Sequence, residues 1–152
     1  MTEYSITLQE VTPADIEKYI ATERKVGSKT YLPWTTEKEI MTVMSNGKIY
    51  FIKVGDNIVG NISYQTKPDG TVFIEGLAVD PKYQGKGFAR QALNQILMQV
   101  KNAHRVELIT HPENAPAVNL YQSLGFEIVE RKDNYFGDGE PRILMRKVNS
   151  NG

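Results

Sequence analysis

The stretch Tyr83 to Arg90, YQGKGFAR, sets two glycines around a lysine just ahead of a helical pattern. Glycines there let a bulky anion approach the main chain. The free N–H groups of a helix start would face that anion, with Lys86 and Arg90 adding charge at the rim. Two familiar phosphate cradles fail on these residues. A P-loop lysine is followed by Ser or Thr, whereas Lys86 is followed by Gly87. The dinucleotide fingerprint needs a third glycine where Arg90 stands, and an early parallel βαβ unit. On the residues alone, a phosphate seat and a loop that merely turns the chain stand level.

Other side chains carry chemistry of their own. Glu75 sits inside the apolar run FIEGLAV, where a carboxylate costs free energy unless it is paired or useful. Tyr121 either packs with Leu120 and Leu124 or offers its phenol. His104 and His111 have no convincing carboxylate cluster in sequence, so no metal site is expected. The absence of cysteine excludes disulfides, thiolate metal sites and cysteine nucleophiles.

The elements that must position these residues follow from spacing. YSITLQEV alternates Tyr4, Ile6 and Leu8 on one face, a short strand. Thr12, Pro13 and Asp15 begin a helix whose buried stripe is Ile16, Tyr19 and Ile20. Thr36 and Glu39 form a capping pair for a second helix. KIYFIKV, NIVGNISYQ and TVFIEGLAV, separated by GDN and KPDG, predict an antiparallel meander. Ala89, Ala92, Leu93, Ile96, Leu97 and Val100 follow helical spacing. RVELIT is a strand, NAPAVNLYQSLG a helix capped by Asn114 and stopped at Gly125, and FEIVERK and RILMRKV two final strands. The order is βααβββαβαββ, an α/β (α+β) single domain over residues 1–148 with a loose tail at 149–152.

Composition bounds the function. The 152 residues suit one core, and 18 basic against 18 acidic residues give no positive excess for coating nucleic acid or an anionic membrane. No apolar run is long enough to cross a bilayer, and the first ten residues lack the pattern of a signal peptide. A cytoplasmic location is expected.

Context breaks the tie over the glycines. Gln84-Gly85-Lys86-Gly87-Phe88-Ala89 matches the Q/R-x-x-G-x-G/A signature of the GCN5-related N-acetyltransferases. LAVDP precedes it where that family carries its splayed fourth strand, and NAPAVNLYQSLGF resembles the second signature, N-x-x-A-x-x-L-Y. The chain is therefore identified as resembling this family across nearly its whole length. The resemblance implies an acyl-CoA N-acyltransferase fold, with a mixed, mostly antiparallel sheet of about seven strands flanked by four helices. It implies acetyl-CoA as co-substrate, no metal, and a primary amine as acceptor, with direct transfer in a ternary complex. Backbone N–H groups from Gln84 to Arg90 would hold the pyrophosphate, with Gly85, Lys86, Gly87, Phe88 and Ala89 between them. The edge Leu77, Ala78, Val79 would carry a bulge and pair with the pantetheine arm, Val79 N–H stabilising the oxyanion. Asn114 would touch pantetheine or cap its helix, with Asn119 helping from the same helix. Tyr121 matches the general acid. Glu75 stands where many members have a carboxylate base, while a structural pairing with a lysine stays open. Another position used for a base by some relatives is Ile109 here, and Glu107 lies two residues too early. His111 is expected as a loop residue or a helix-entry contact rather than a base.

The acceptor groove is expected between the first two helices and the last hairpin. Tyr31, Trp34, Tyr135 and Phe136 could line it, with Asp133, Asp138 and Glu140 attracting a cationic amine, and a hydrophobic cap with an ordinary hairpin turn stands equally open. NYFGDGEPRILM is similar to the hairpin of protein N-terminal acetyltransferases, though Phe136 replaces a second tyrosine, so a small molecule and a peptide N-terminus both stand. The resemblance allows a homodimer through this hairpin. Two other readings stay open: a non-catalytic acyl-CoA-binding or regulatory module of the same fold, and a phosphate binder unrelated to CoA.

Overall fold

The computed structural model describes residues 5–26 and 36–149. Its strands are β1 (Thr7–Glu10), β2 (Gly47–Val54), β3 (Asn57–Thr66), β4 (Val72–Val79), β5 (Arg105–Thr110), β6 (Glu127–Lys132) and β7 (Arg142–Val148). Its helices are α1 (Ile16–Val26), α2 (Glu37–Asn46), α3 (Phe88–Gln99) and α4 (Ala115–Ser123). The strands form one sheet in the order β1-β2-β3-β4-β5-β7-β6. Only the β4–β5 pair is parallel, so the sheet is mixed and mostly antiparallel, as the sequence predicts.

Local chemistry explains the helix starts. Thr12 donates through its backbone N and its hydroxyl to Asp15 Oδ2, at 2.9 and 3.0 Å. Pro13–Asp15 forms a 3-10 turn first, and the α-helix proper begins at Ile16. At α2, Thr36 Oγ1 accepts from Glu39 N at 3.3 Å and donates to Glu39 Oε1 at 2.7 Å. The predicted pairing is present, with the carboxylate returning to the hydroxyl.

Alternation along β2 divides the core. Ile49 and Phe51 pack with Ile16 and Tyr19 of α1 and Ile40 and Val43 of α2. Tyr50 and Ile52 pack on the other face with Phe88, Ala92, Leu93 and Ile96 of α3 and Tyr121 of α4. A strand covered on both faces needs a continuous apolar run, which KIYFIKV supplies. Asn61 of β3 donates to Glu23 of α1 at 2.7 Å, and both residues are fully buried.

The predicted meander β2-β3-β4 carries two register shifts, one between Ile52 and Lys53 of β2, where Val59 of β3 is skipped, and one where β3 meets β4. Ser63 pairs with Gly76 and Tyr64 with Ile74, leaving Glu75 as an extra residue. This bulge lies two residues before the Leu77–Val79 segment where the sequence reading placed it. On its other side β4 pairs with β5 only through Val72, Phe73 and Ile74. At the chain end, Asn149 donates to His104 O at 2.9 Å and to Ala103 O at 2.6 Å. No helix among the described residues is long and apolar enough to cross a membrane.

Gly60 faces Val79 across this ladder, and a Cβ there would run into the Ala78 carbonyl oxygen. Backbone cannot yield as a side chain can, so Gly60→Ala should cost about 2 kcal/mol, read as a lower urea midpoint. An unchanged midpoint would mean that β3 and β4 have slack here.

Candidate functional site

The strands β4 and β5 part after Ile74, and a cavity of about 490 Å3 lies beside the released segment of β4. Leu77, Ala78 and Val79 form one wall, the loop Tyr83–Gly85 and the start of α3 the floor, and Asn114, Ala117, Leu120 and Tyr121 the other wall. The polar groups of the β4 segment divide between two sides. Asp80 N donates to Val59 O on β3, so ladder alternation turns the groups of Ala78 toward β3 as well. Those of Leu77 and Val79 turn to the open side. Gln84 Nε2 already donates to Val79 O at 2.9 Å, which leaves Val79 N–H facing outward.

The glycines have the expected geometry. Gly85 and Gly87 adopt φ of 79° and 84°, a region costly for other residues. Gly87 stands immediately before α3, whose first-turn N–H groups lack an acceptor within the helix. The Phe88 side chain is buried in the core and anchors this turn. Arg90 Nη2 donates to Ser123 Oγ at 2.9 Å, tying α3 to the end of α4 across the cavity. Lys86 is exposed and does not line the cavity. Asn114 caps α4, accepting from Ala117 N at 3.4 Å. Asn119 is exposed and lines neither cavity described here. Two residues before Tyr121, it lies about 200° around the helix from that ring.

A second cavity, of about 320 Å3, opens on the far side and shares Leu77, Asn114 and Tyr121 with the first. Glu39, Lys67, Phe73, Glu75, His111, Tyr135, Phe136 and Arg142 are among the other residues that line it, with Ile109 of β5 beside them. The bulge presents Glu75 here, where it accepts from Gln65 Nε2 at 2.9 Å. Burial pushes the Glu75 carboxyl up, against weaker opposing pulls from Gln65 and Lys67. Tyr121 is 6% exposed, and burial drives its phenol far above the usual tyrosine range. Burial thus keeps the proton on the phenol.

The structure brings Tyr135 and Phe136 to this cavity, their rings 4.8 Å apart and nearly perpendicular. Tyr31 and Trp34 lie outside the described residues. The hairpin acids are engaged within the protein. Asp138 Oδ2 accepts from buried Arg142 at 2.9 Å, Glu140 meets His111, and exposed Asp133 pairs with Arg131 at 3.5 Å. Glu107 accepts from Arg146 at 2.6 Å.

His111 is the residue whose surroundings the sequence hid. Its ring is fully buried, and Glu113 and Glu140 gather around it, so the carboxylates missing in sequence are present in space. Nδ1 accepts from Glu113 N at 3.0 Å, so the proton sits on Nε2, 2.8 Å from Glu140 Oε1. Both ring nitrogens are thus engaged within the protein. His111 O also accepts from Asn114 N at 3.0 Å, the expected helix-entry contact.

The family model described as the acetyltransferase (GNAT) family matches residues 14–126. A ribosomal-protein alanine N-acetyltransferase of Haemophilus ducreyi is 32% identical over 59% of this chain and 66% of its own. A solved ribosomal-protein alanine N-acetyltransferase of Escherichia coli superposes with TM-score 0.83 at 22% identity, covering 97% of this chain and 96% of that one. A GNAT family acetyltransferase of Elizabethkingia anophelis, solved with acetyl-CoA bound, gives TM-score 0.72 at 21% identity over 95% and 98%. The matched stretches span between 40% and 66% of the first curated relatives.

Because burial raises the Glu75 carboxyl, the folded state binds its proton more tightly than the unfolded chain does. Ionised Glu75 then opposes folding above the raised value and contributes nothing below the unfolded one, near about pH 4. Glu75→Gln should raise Tm at neutral pH, and the gain should vanish toward pH 4. A Tm gain independent of pH would show that desolvation of the charge is not its cause.

Proposed function

The chain belongs to the acetyltransferase (GNAT) family, and on that premise we propose that it is an acetyl-CoA-dependent N-acetyltransferase. It moves the acetyl group directly to a primary amine, on a small molecule or a protein N-terminus, within a ternary complex. The observation that carries this is the meeting of two cavities at Leu77, Asn114 and Tyr121, one ending on the glycine-flanked start of α3 and the other on Glu75.

The residues present fit an acyl-CoA. A diphosphate suits the N–H groups at Gly87 and beyond, where no Cβ crowds the approach. A pantetheine arm, with its two amides, suits a strand edge that offers Leu77 and Val79 main-chain groups and has lost its β5 neighbour. The co-substrate supplies an activated acetyl thioester. Val79 N–H is the donor toward the thioester oxygen, where negative charge grows as the amine attacks. Glu75 removes the ammonium proton, since an ammonium has no lone pair. Its raised affinity for protons brings it closer to the amine in basicity. Tyr121 gives its phenolic proton to the departing thiolate. Relatives that acetylate an alanine of a ribosomal protein support a peptide acceptor, and the aromatic pair Tyr135 and Phe136 supplies apolar wall for either acceptor class.

A thiol-release assay with acetyl-CoA, small amines and alanine-initiated peptides tests this reading. Turnover with any acceptor supports it, whereas tight CoA binding without turnover supports the non-catalytic module. Tyr121→Phe should lower kcat by about a hundredfold, near 3 kcal/mol, with the Kd for acetyl-CoA unchanged. Unchanged kcat removes Tyr121 from the acid role. Glu75→Gln should lower the rate and flatten the acidic limb of its pH profile; an unaltered profile removes Glu75 as the base.

A further inference from the structure

We propose that the hydrogen bond between His111 and Glu140 positions the aromatic hairpin against the entry of α4, and so sets affinity for the amine acceptor. The acceptor half of this inference rests on the acetyltransferase reading above, whereas the positioning half stands on geometry alone. His111 follows β5 directly and lies three residues before Asn114, the cap of the helix that carries Tyr121. Its ring orientation is fixed from one side by the Glu113 N–H to Nδ1 bond, which aims Nε2–H at Glu140, 29 residues further on. A buried imidazole is costly unless both nitrogens are satisfied. Removing Glu140 therefore leaves a buried donor unmet, and the ring or the hairpin must move.

Beyond Glu140 the contacts continue to the cavity wall. Glu140 N donates to Asp138 Oδ1 at 3.0 Å, and Asp138 Oδ2 accepts from Arg142 Nη2 at 2.9 Å. The guanidinium lies 5.0 Å from the centroid of Phe136, which packs edge-on with Tyr135. Gly139 N donates to Asn134 Oδ1 at 2.6 Å, again within the hairpin. These bonds shape the loop of the hairpin, while β7 itself is held to β5 by its ladder, which ends with Thr110 against Ile143. The His111–Glu140 bond carries that attachment one step further, onto the loop between β6 and β7. It joins the wall formed by Tyr135 and Phe136 to the helix entry beside Tyr121, so the width between them depends on it. His111 and Glu140 are positioning residues in this account, since neither is asked to move a proton.

The test uses Glu140→Ala and Glu140→Gln in the full chain, with acetyl-CoA and the amine or alanine-initiated peptide that the wild type turns over fastest. Glu140→Ala should raise KM for the amine about tenfold, leaving kcat and KM for acetyl-CoA within about twofold. Glu140→Gln, whose amide oxygen still accepts from Nε2–H, should stay near wild type. An unchanged amine KM overturns the proposal, as does an equal rise in KM for acetyl-CoA, which would mark general loosening of the fold. Hydrogen exchange supplies a readout that needs no acceptor. Glu140→Ala should speed exchange of the amides from Asn134 to Glu140 about tenfold while β5 stays protected. Unaltered exchange overturns the positioning role. Faster exchange in an enzyme that turns over no amine would instead fault the acetyltransferase reading.

Discussion

β4 and β5 are the one parallel pair in the sheet, and they stay together for three residues. A strand with an intact partner has no polar main chain to offer. By parting after Ile74, β4 gains an edge in the middle of the molecule, where the outward groups of Leu77 and Val79 have no β5 partner. The surrounding features deal with that edge. Gln84 folds back to take the Val79 carbonyl, β3 holds the strand from behind, and the glycine-flanked start of α3 closes the far end.

The bulge at Glu75 belongs to the same arrangement. One extra residue beside Gly76 shifts the alternation of β4, so that Ile74 and Val79 both reach the α3 side of the core. The glutamate is the residue that the β3–β4 register skips. The strand irregularity thus turns a carboxylate from a core strand into the second cavity, half-wrapped by apolar neighbours and steadied by Gln65. Its cost to folding and its readiness to take a proton have the same origin, which is loss of solvent around a charge.

Much of this was legible in the chain. Element order, the glycine turn ahead of α3, the Asn114 cap and the apolar stripe of α3 follow from local spacing, because helices and turns are decided by residues near one another. The bulge was expected nearby but at Leu77–Val79, since its position is a property of the register between β3 and β4 rather than of either strand alone. The engagement of Asp138 by Arg142 was near in sequence yet looked like free negative charge. His111 and Glu140 are 29 residues apart, and no periodicity links them. A helix that turns Tyr121 inward turns Asn119, two residues before it, away from that ring.

The two cavities have a common wall in Leu77, Asn114 and Tyr121. Under thermodynamic reciprocity, any shift of that wall caused by filling one side changes affinity on the other by the same factor. The ring of Tyr121, packed edge-on against Phe126 with centroids 5.9 Å apart, limits how far the wall can travel. On the proposed reading, ligands on the two sides would meet the same three side chains, and their mutual influence would need no hinge or domain closure.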